Sequence, residues 1–104
     1  MKRPILRQGD ILLVPVTTIP PDARPVAGER RGAGLVVAHG EATGHAHVLS
    51  HGDEFVTEAR RYVRLAVEAR LFHDEHAPIE VPAGEWELRR QREYAPGEIR
   101  TVED

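Results

Sequence analysis

Four of the chain's six histidines crowd into HGEATGHAHVLSH, residues 39–51, and the other two stand in HDEH, residues 73–76. An imidazole can bind a metal through its unprotonated nitrogen, carry a proton near neutral pH, or simply be polar surface. The chain has no cysteine. That removes disulfides and thiolate ligands together, so any metal would be held by nitrogen and oxygen. His45 and His47 are separated by one residue, and on a strand such a pair projects to one face. Two neutral imidazoles on one face can share a cation, but a single strand cannot wrap it. His73 and His76 are the candidates for the other half of the site. Glu41 and Glu75 are the candidate general acid and base, since a carboxylate beside a site can be tuned toward neutral pH. Asp74 could orient an imidazole through its second nitrogen.

A nitrogen and oxygen set of this kind suits zinc, iron(II), manganese, nickel or copper(II). Four histidines would close a tetrahedral zinc site. Three ligands with an open position would permit metal-assisted chemistry on a small polar substrate. Two metal-free readings stand beside this one: histidines acting as acid, base or hydrogen-bond donors, and a pH-responsive patch. His51 precedes a Gly-Asp turn and reads as surface. His39 depends on register. An even-numbered loop turns it away from His45 and His47, whereas a three-residue bulged loop, with Gly44 supplying a positive φ, sets it opposite His45.

The elements that must position these residues read as strands. QGD followed by ILLVPV is a turn and a strand over about residues 10–17, with Ile11 and Leu13 on one face and Leu12, Val14 and Val16 on the other. Pro15 marks an edge strand or a strand end. Residues 18–34 read as a long loop rich in Pro, Gly and charge. LVVAHG and GHAHVLS flank the turn EATG, and GDEFVTE adds a short strand. Residues 60–76 fit two periods. Alternation puts Val63, Leu65, Val67, Ala69, Leu71 and His73 on one face, while helical spacing aligns Tyr62, Leu65, Ala66, Ala69, Phe72, His73 and His76. The strand reading is preferred because its neighbours are strand-like. A helix over 58–73 would make the fold α+β. PIEV, the turn PAG and the strand EWELRRQREY follow. On that last strand Trp86 and Leu88 face the core, Glu85, Glu87 and Arg89 read as solvated, and the charged end argues against a central position. The tail 96–104 reads as frayed. The expected architecture is all-β: one small domain over 1–104, a roll, sandwich or barrel of short antiparallel strands.

Composition narrows the function classes. At 104 residues, 40% hydrophobic and 30% charged, the chain suits one globular domain. A net charge of −3 gives no strong nucleic-acid signal. No apolar run approaches the roughly 18 residues of a membrane span, and the start lacks the features of a signal peptide, so a cytoplasmic protein is expected. There is no phosphate loop, dinucleotide fingerprint or H-E-x-x-H helix. Ser50, the only serine, lacks a nucleophile elbow. Arg89, Arg90 and Arg92 form a basic stripe flanked by Glu87 and Glu93, which reads as a solvated face.

Arg7–Asp10 (RQGD), Gly40–His47 (GEATGHAH), His73–Ile79 (HDEHAPI) and Gln91–Tyr94 (QREY) resemble the pattern of a group of small bacterial and phage-encoded proteins without an assigned function. That resemblance spans nearly the whole chain. A looser one is to the cupins, small β-barrels with a metal held by histidines and a glutamate. GHAH followed by Glu54 is similar to their first motif, and VPAG at 81–84 to the P-x-G of their second. Two departures stand out: Glu54 lies seven residues after His47, and no histidine follows Gly84. The resemblance implies a cupin-like metal-dependent reaction. The alternative expectation is a metal-free binding or adaptor module that pairs with a protein through an exposed strand, and edge strands of this sort favour a homodimer.

Overall fold

Alternation of apolar and polar residues in short runs, punctuated by Gly and Pro, gives eleven strands among the described residues. The computed structural model describes residues 3–40 and 45–91. In chain order the strands are β1 (Leu6–Gln8), β2 (Ile11–Val16), β3 (Arg24–Val26), β4 (Glu29–Arg31), β5 (Gly34–His39), β6 (Ala46–Leu49), β7 (Asp53–Val56), β8 (Arg61–Leu65), β9 (Ala69–Phe72), β10 (Ile79–Val81) and β11 (Gly84–Arg90). They form two antiparallel sheets, ordered β1-β2-β11-β8-β7-β3 and β10-β9-β6-β5-β4. The fold is all-β. Among the described residues no helix is long and apolar enough to cross a membrane.

The two sheets share one apolar core. The first contributes Ile11, Leu13, Val63, Leu65, Trp86 and Leu88; the second contributes Leu35, Val37, Leu49, Ala69, Leu71 and Val81. Each fully buried leucine of this set stabilises the fold by roughly 1.5–3 kcal/mol relative to exposure. Trp86 is 0% exposed, and its indole N–H donates to the Pro82 carbonyl at 3.0 Å, so its polar edge is satisfied.

Residues 60–73 follow the strand period, and the helix alternative is excluded. The alternation does not run through, however. β8 belongs to the first sheet and β9 to the second, and the turn at 66–68 carries the chain between them. Leu65 and Ala69 both face the core, whereas Val67, which alternation assigned to the same face, is 63% exposed in the turn.

Three further expectations are corrected. The segment 18–34 is not one loop, since it holds β3 and β4, which extend one edge of each sheet. The charged end of β11 does lie in a central strand: β11 runs between β2 and β8, and Arg90 is still in register with Ile11. Glu87, expected to be solvated, is 6% exposed. Burial by itself would raise its pKa. The Arg89 and Arg60 guanidiniums outweigh that effect and hold the carboxylate below its usual range. A central strand can therefore end in charge, because the arginines bring hydrogen-bonded partners to the buried carboxylate. Pro15 sits one residue from the end of β2, beyond the stretch of β2 that β1 covers, which leaves the strand an open side there. The tail expected to fray, 96–104, lies outside the described residues, as do Arg92, Glu93 and Tyr94.

Candidate functional site

Four histidines meet at one end of the second sheet. His47 lies on β6 and His45 immediately precedes that strand; His73 and His76 lie on the turn between β9 and β10. β6 and β9 are hydrogen-bonded neighbours, with Val48 opposite Phe72 and Leu49 opposite Leu71, so the two segments arrive side by side. The ring centroids of His47 and His73 are 4.3 Å apart, those of His73 and His76 4.7 Å, those of His45 and His73 5.8 Å, and those of His47 and His76 6.2 Å. The imidazole grouping expected from HGEATGHAHVLSH and HDEH is present in the fold.

His47 is the buried member, 2% exposed, and its environment is specific. Its Nδ1 lies 2.9 Å from Gln8 Oε1. The Gln8 amide nitrogen donates to the carbonyls of Leu71 at 2.9 Å and Ala77 at 3.0 Å. Gln8 is itself buried, 3% exposed, and with its nitrogen committed to two acceptors its oxygen can only accept. His47 therefore carries its proton on Nδ1 and donates it to Gln8. The lone pair is left on Nε2, which faces Asp10 Oδ1 at 3.6 Å. Burial, followed by the repulsion of His73, pulls the His47 pKa down to about 4, although Asp10 works in the opposite direction. At neutral pH, then, no proton stands between the imidazole lone pair and the carboxylate.

Asp10 is anchored from the other side. Arg90 Nε lies 3.0 Å from its Oδ2, and its backbone carbonyl accepts from Gln91 N–H at 2.7 Å. The Gly9–Asp10 turn that presents it needs a glycine. Gly9 has φ of 59°, and a Cβ there would stand 2.8 Å from His76 Nε2. Gly9→Ala is expected to cost about 1–2 kcal/mol from the left-handed backbone alone and to push the His76 ring outward. Chemical denaturation of the EDTA-treated protein measures the first effect, and the His76 ring resonances report the second.

The remaining candidates occupy the rim. His45 Nδ1 is 3.5 Å from Glu75 Oε2, and its Nε2 is 3.8 Å from Asp74 Oδ2. The Glu75 backbone N–H donates to His73 Nδ1 at 3.0 Å, so neutral His73 carries its proton on Nε2. His39 does not join the cluster. A bulge between Val36 and Ala38 shifts the β5–β6 register so that His39 pairs with Ala46 and Ala38 with His47. His39 therefore faces away and bonds Glu29 at 2.8 Å. His51 donates to the Glu68 carbonyl at 3.0 Å, at the far end of β6. Glu54, the glutamate of the cupin resemblance, lies on the first sheet and pairs with Arg61 at 2.7 Å. Glu41 lies outside the described residues, as does Gly44. Among the described residues, no three His, Asp or Glu side chains are arranged as a metal's ligands.

Sequence reasoning missed Gln8 and Asp10. RQGD was legible as a turn, but a glutamine and an aspartate in a turn carry no signal of their partners 37 or more positions away.

No match is found among curated proteins or among solved structures. The family model described as "Domain of unknown function (DUF8820)" matches residues 7–91, a span that runs from the residue before Gln8 to the residue after Arg90, and the chain belongs to that family.

Proposed function

We propose that the histidine cluster binds a divalent transition metal, with His47 Nε2 and Asp10 as its inner pair and His73 and His76 as the ligands that close on it. The observation that carries this reading is the 3.6 Å gap between the buried His47 Nε2 and Asp10 Oδ1. Two acceptors that face each other without a proton repel. The gap is too long for a hydrogen bond, and it suits two donors bound to one cation at roughly 2.0–2.2 Å from each. Gln8 supplies the second contact that metal-bound imidazoles usually have, fixing tautomer and ring orientation.

His76 is exposed and His73 half-buried, so both can turn toward the pair. Coordination through His73 Nε2 requires its proton to move to Nδ1 and the contact with the Glu75 N–H to open. His45, leaning on Glu75, stands at the rim and is a further candidate ligand, with Glu75 placed to act as general acid or base for a substrate at an open position. The set contains no sulfur, which favours zinc, iron(II), manganese or nickel.

Metal analysis of the purified, untagged protein tests the proposal. About one equivalent of metal is expected, together with an upward shift in melting temperature on adding the preferred ion to EDTA-treated protein. Absence of saturable uptake of all four ions, with an unchanged melting temperature, would remove the reading.

A further inference from the structure

The inner face of the first sheet does not stay apolar to its end. Leu88 pairs with both Leu13 and Arg61, Ile11 with Arg90, and Val63 with Glu54. Cross-strand partners share a face, so Arg61, Arg90 and Glu54 all project to the core side, past the last apolar layer. There they line a cleft of about 590 Å³, with Ile11, Val37 and Leu88 among its apolar walls. Six of its thirteen lining residues are charged or polar, namely Glu29, His39, Glu54, Arg61, Arg89 and Arg90, and placed polar groups beside apolar walls are what orients a bound small molecule.

Glu54 is 5% exposed. Its Oε2 accepts from Arg61 Nε at 2.7 Å. Its Oε1 has no donor among the described residues and faces Gly28 in the cleft lining, where a Cβ would stand 2.9 Å from it. A buried carboxylate oxygen without a donor carries an uncompensated desolvation cost. The arginines, both partly exposed, keep donors to spare. Arg61 uses Nε on Glu54 and Nη1 on the Val37 carbonyl, and Arg90 uses Nε on Asp10 and Nη2 on the His39 carbonyl. Arg61 Nη2 and Arg90 Nη1 are without partners among the described residues. Arg61 is paired with Glu54, Arg90 with Asp10 and Arg89 with Glu87, and Glu29 bonds its neighbour His39. A ligand that brings both signs therefore adds no net charge to these pairings.

We infer that this cleft binds a free α-amino acid with an apolar side chain: the ammonium donates to Glu54 Oε1, the carboxylate accepts from Arg61 and Arg90, and the side chain lies against Ile11, Val37 and Leu88. An α-amino acid fits because its donor and its oxyanion stand on adjacent carbons, as Glu54 and Arg61 stand side by side. Asp10 joins the cleft to the histidine cluster, since one of its oxygens faces Arg90 and the other faces His47. The inference does not depend on a metal being bound there.

Titration calorimetry on the full chain in EDTA tests it with L-leucine, 4-methylpentanoate, 3-methylbutylamine and 2-hydroxy-4-methylpentanoate. Leucine is expected to bind saturably at one site. Loss of the amine or of the carboxylate should weaken binding about tenfold or more, the worth of a hydrogen bond to a charged group. The isosteric Glu54→Gln variant should weaken leucine to a similar extent. Should that variant fail to fold, leucine-induced amide shifts in the wild-type protein decide, and they are expected at Gly28, Glu54 and Arg61. Absence of saturable leucine binding, equal binding of 4-methylpentanoate, tighter binding of the hydroxy acid, or shifts confined to other residues would overturn the inference. Because metal is absent throughout, failure here leaves the metal reading standing, and failure of metal uptake leaves this one standing.

Discussion

His47→Ala is expected to abolish saturable metal uptake, while Gln8→Met, which removes only the group that orients His47, is expected to weaken it about 10–100-fold. Calorimetric titration of EDTA-treated protein with zinc measures both. His47 is the one imidazole whose free nitrogen is fixed by a buried partner, so no neighbour can substitute for it. His76, exposed on its turn, should matter less, and His39, turned away by the β5 bulge, should not matter at all. His39→Ala is therefore the control that separates a built site from a loose attraction between histidines and metal. Equal losses for His39→Ala and His47→Ala would contradict the proposed arrangement. Both core variants also disturb buried hydrogen bonds, so each needs a melting curve in EDTA to show that the fold persists.

The metal-free protein is expected to lose stability as pH falls from about 6.5 toward 4. His47 has a folded pKa near 4 against 6.5 for the model imidazole. Above pH 6.5 it is neutral in both states and contributes no pH dependence. Between the two values the unfolded chain takes up a proton that the folded protein refuses, so unfolding becomes easier with acid. Once pH is below both values the loss approaches about 3 kcal/mol, from about 1.4 kcal/mol per unit. The refusal comes first from burial, then from His73, with smaller contributions from His76 and Arg90; Asp10 favours the proton and is outweighed. Chemical denaturation in EDTA across this range measures the slope. His47→Leu should reduce it by about one proton, while carboxylates such as Glu87 continue to contribute at lower pH. An identical slope in wild type and His47→Leu would show that the imidazole titrates freely in the folded state.

The histidine cluster and the cleft share one wall. Arg90 and Asp10 lie between the histidine cluster and the cleft; Arg90 ends β11, and Asp10 stands in the turn just before β2. Substitutions at either are therefore expected to be felt on both sides, so the clean tests use His47 for one site and Glu54 for the other.

Much of this was legible in the sequence, for local reasons. Alternation identifies strands because side chains on a strand have period two, and a half-buried sheet needs one apolar face. It grouped Ile11 with Leu13, Val63 with Leu65 and Trp86 with Leu88, each pair on one strand face, without reference to any partner strand. The spacing of His45 and His47 likewise fixes a common face, since one intervening residue allows nothing else on a strand. The absence of cysteine settled the class of available ligands. What the sequence could not carry was pairing. Whether HDEH would lie beside GHAH depended on β9 joining β6, a contact between segments with no local trace of each other. His39 was decided by a single bulged residue in β5, because a register slip of one residue turns a side chain to the opposite face. Glu87 read as solvent-facing because its cross-strand neighbours Val14 and Tyr62 and its partner Arg60, 27 positions earlier, have no local trace in the strand's own sequence. Gln8, Asp10, Glu54 and Arg61 took their roles from partners brought together only when two sheets closed over one core. Local chemistry is written in the chain; convergence belongs to the tertiary structure, because it depends on which strands become neighbours.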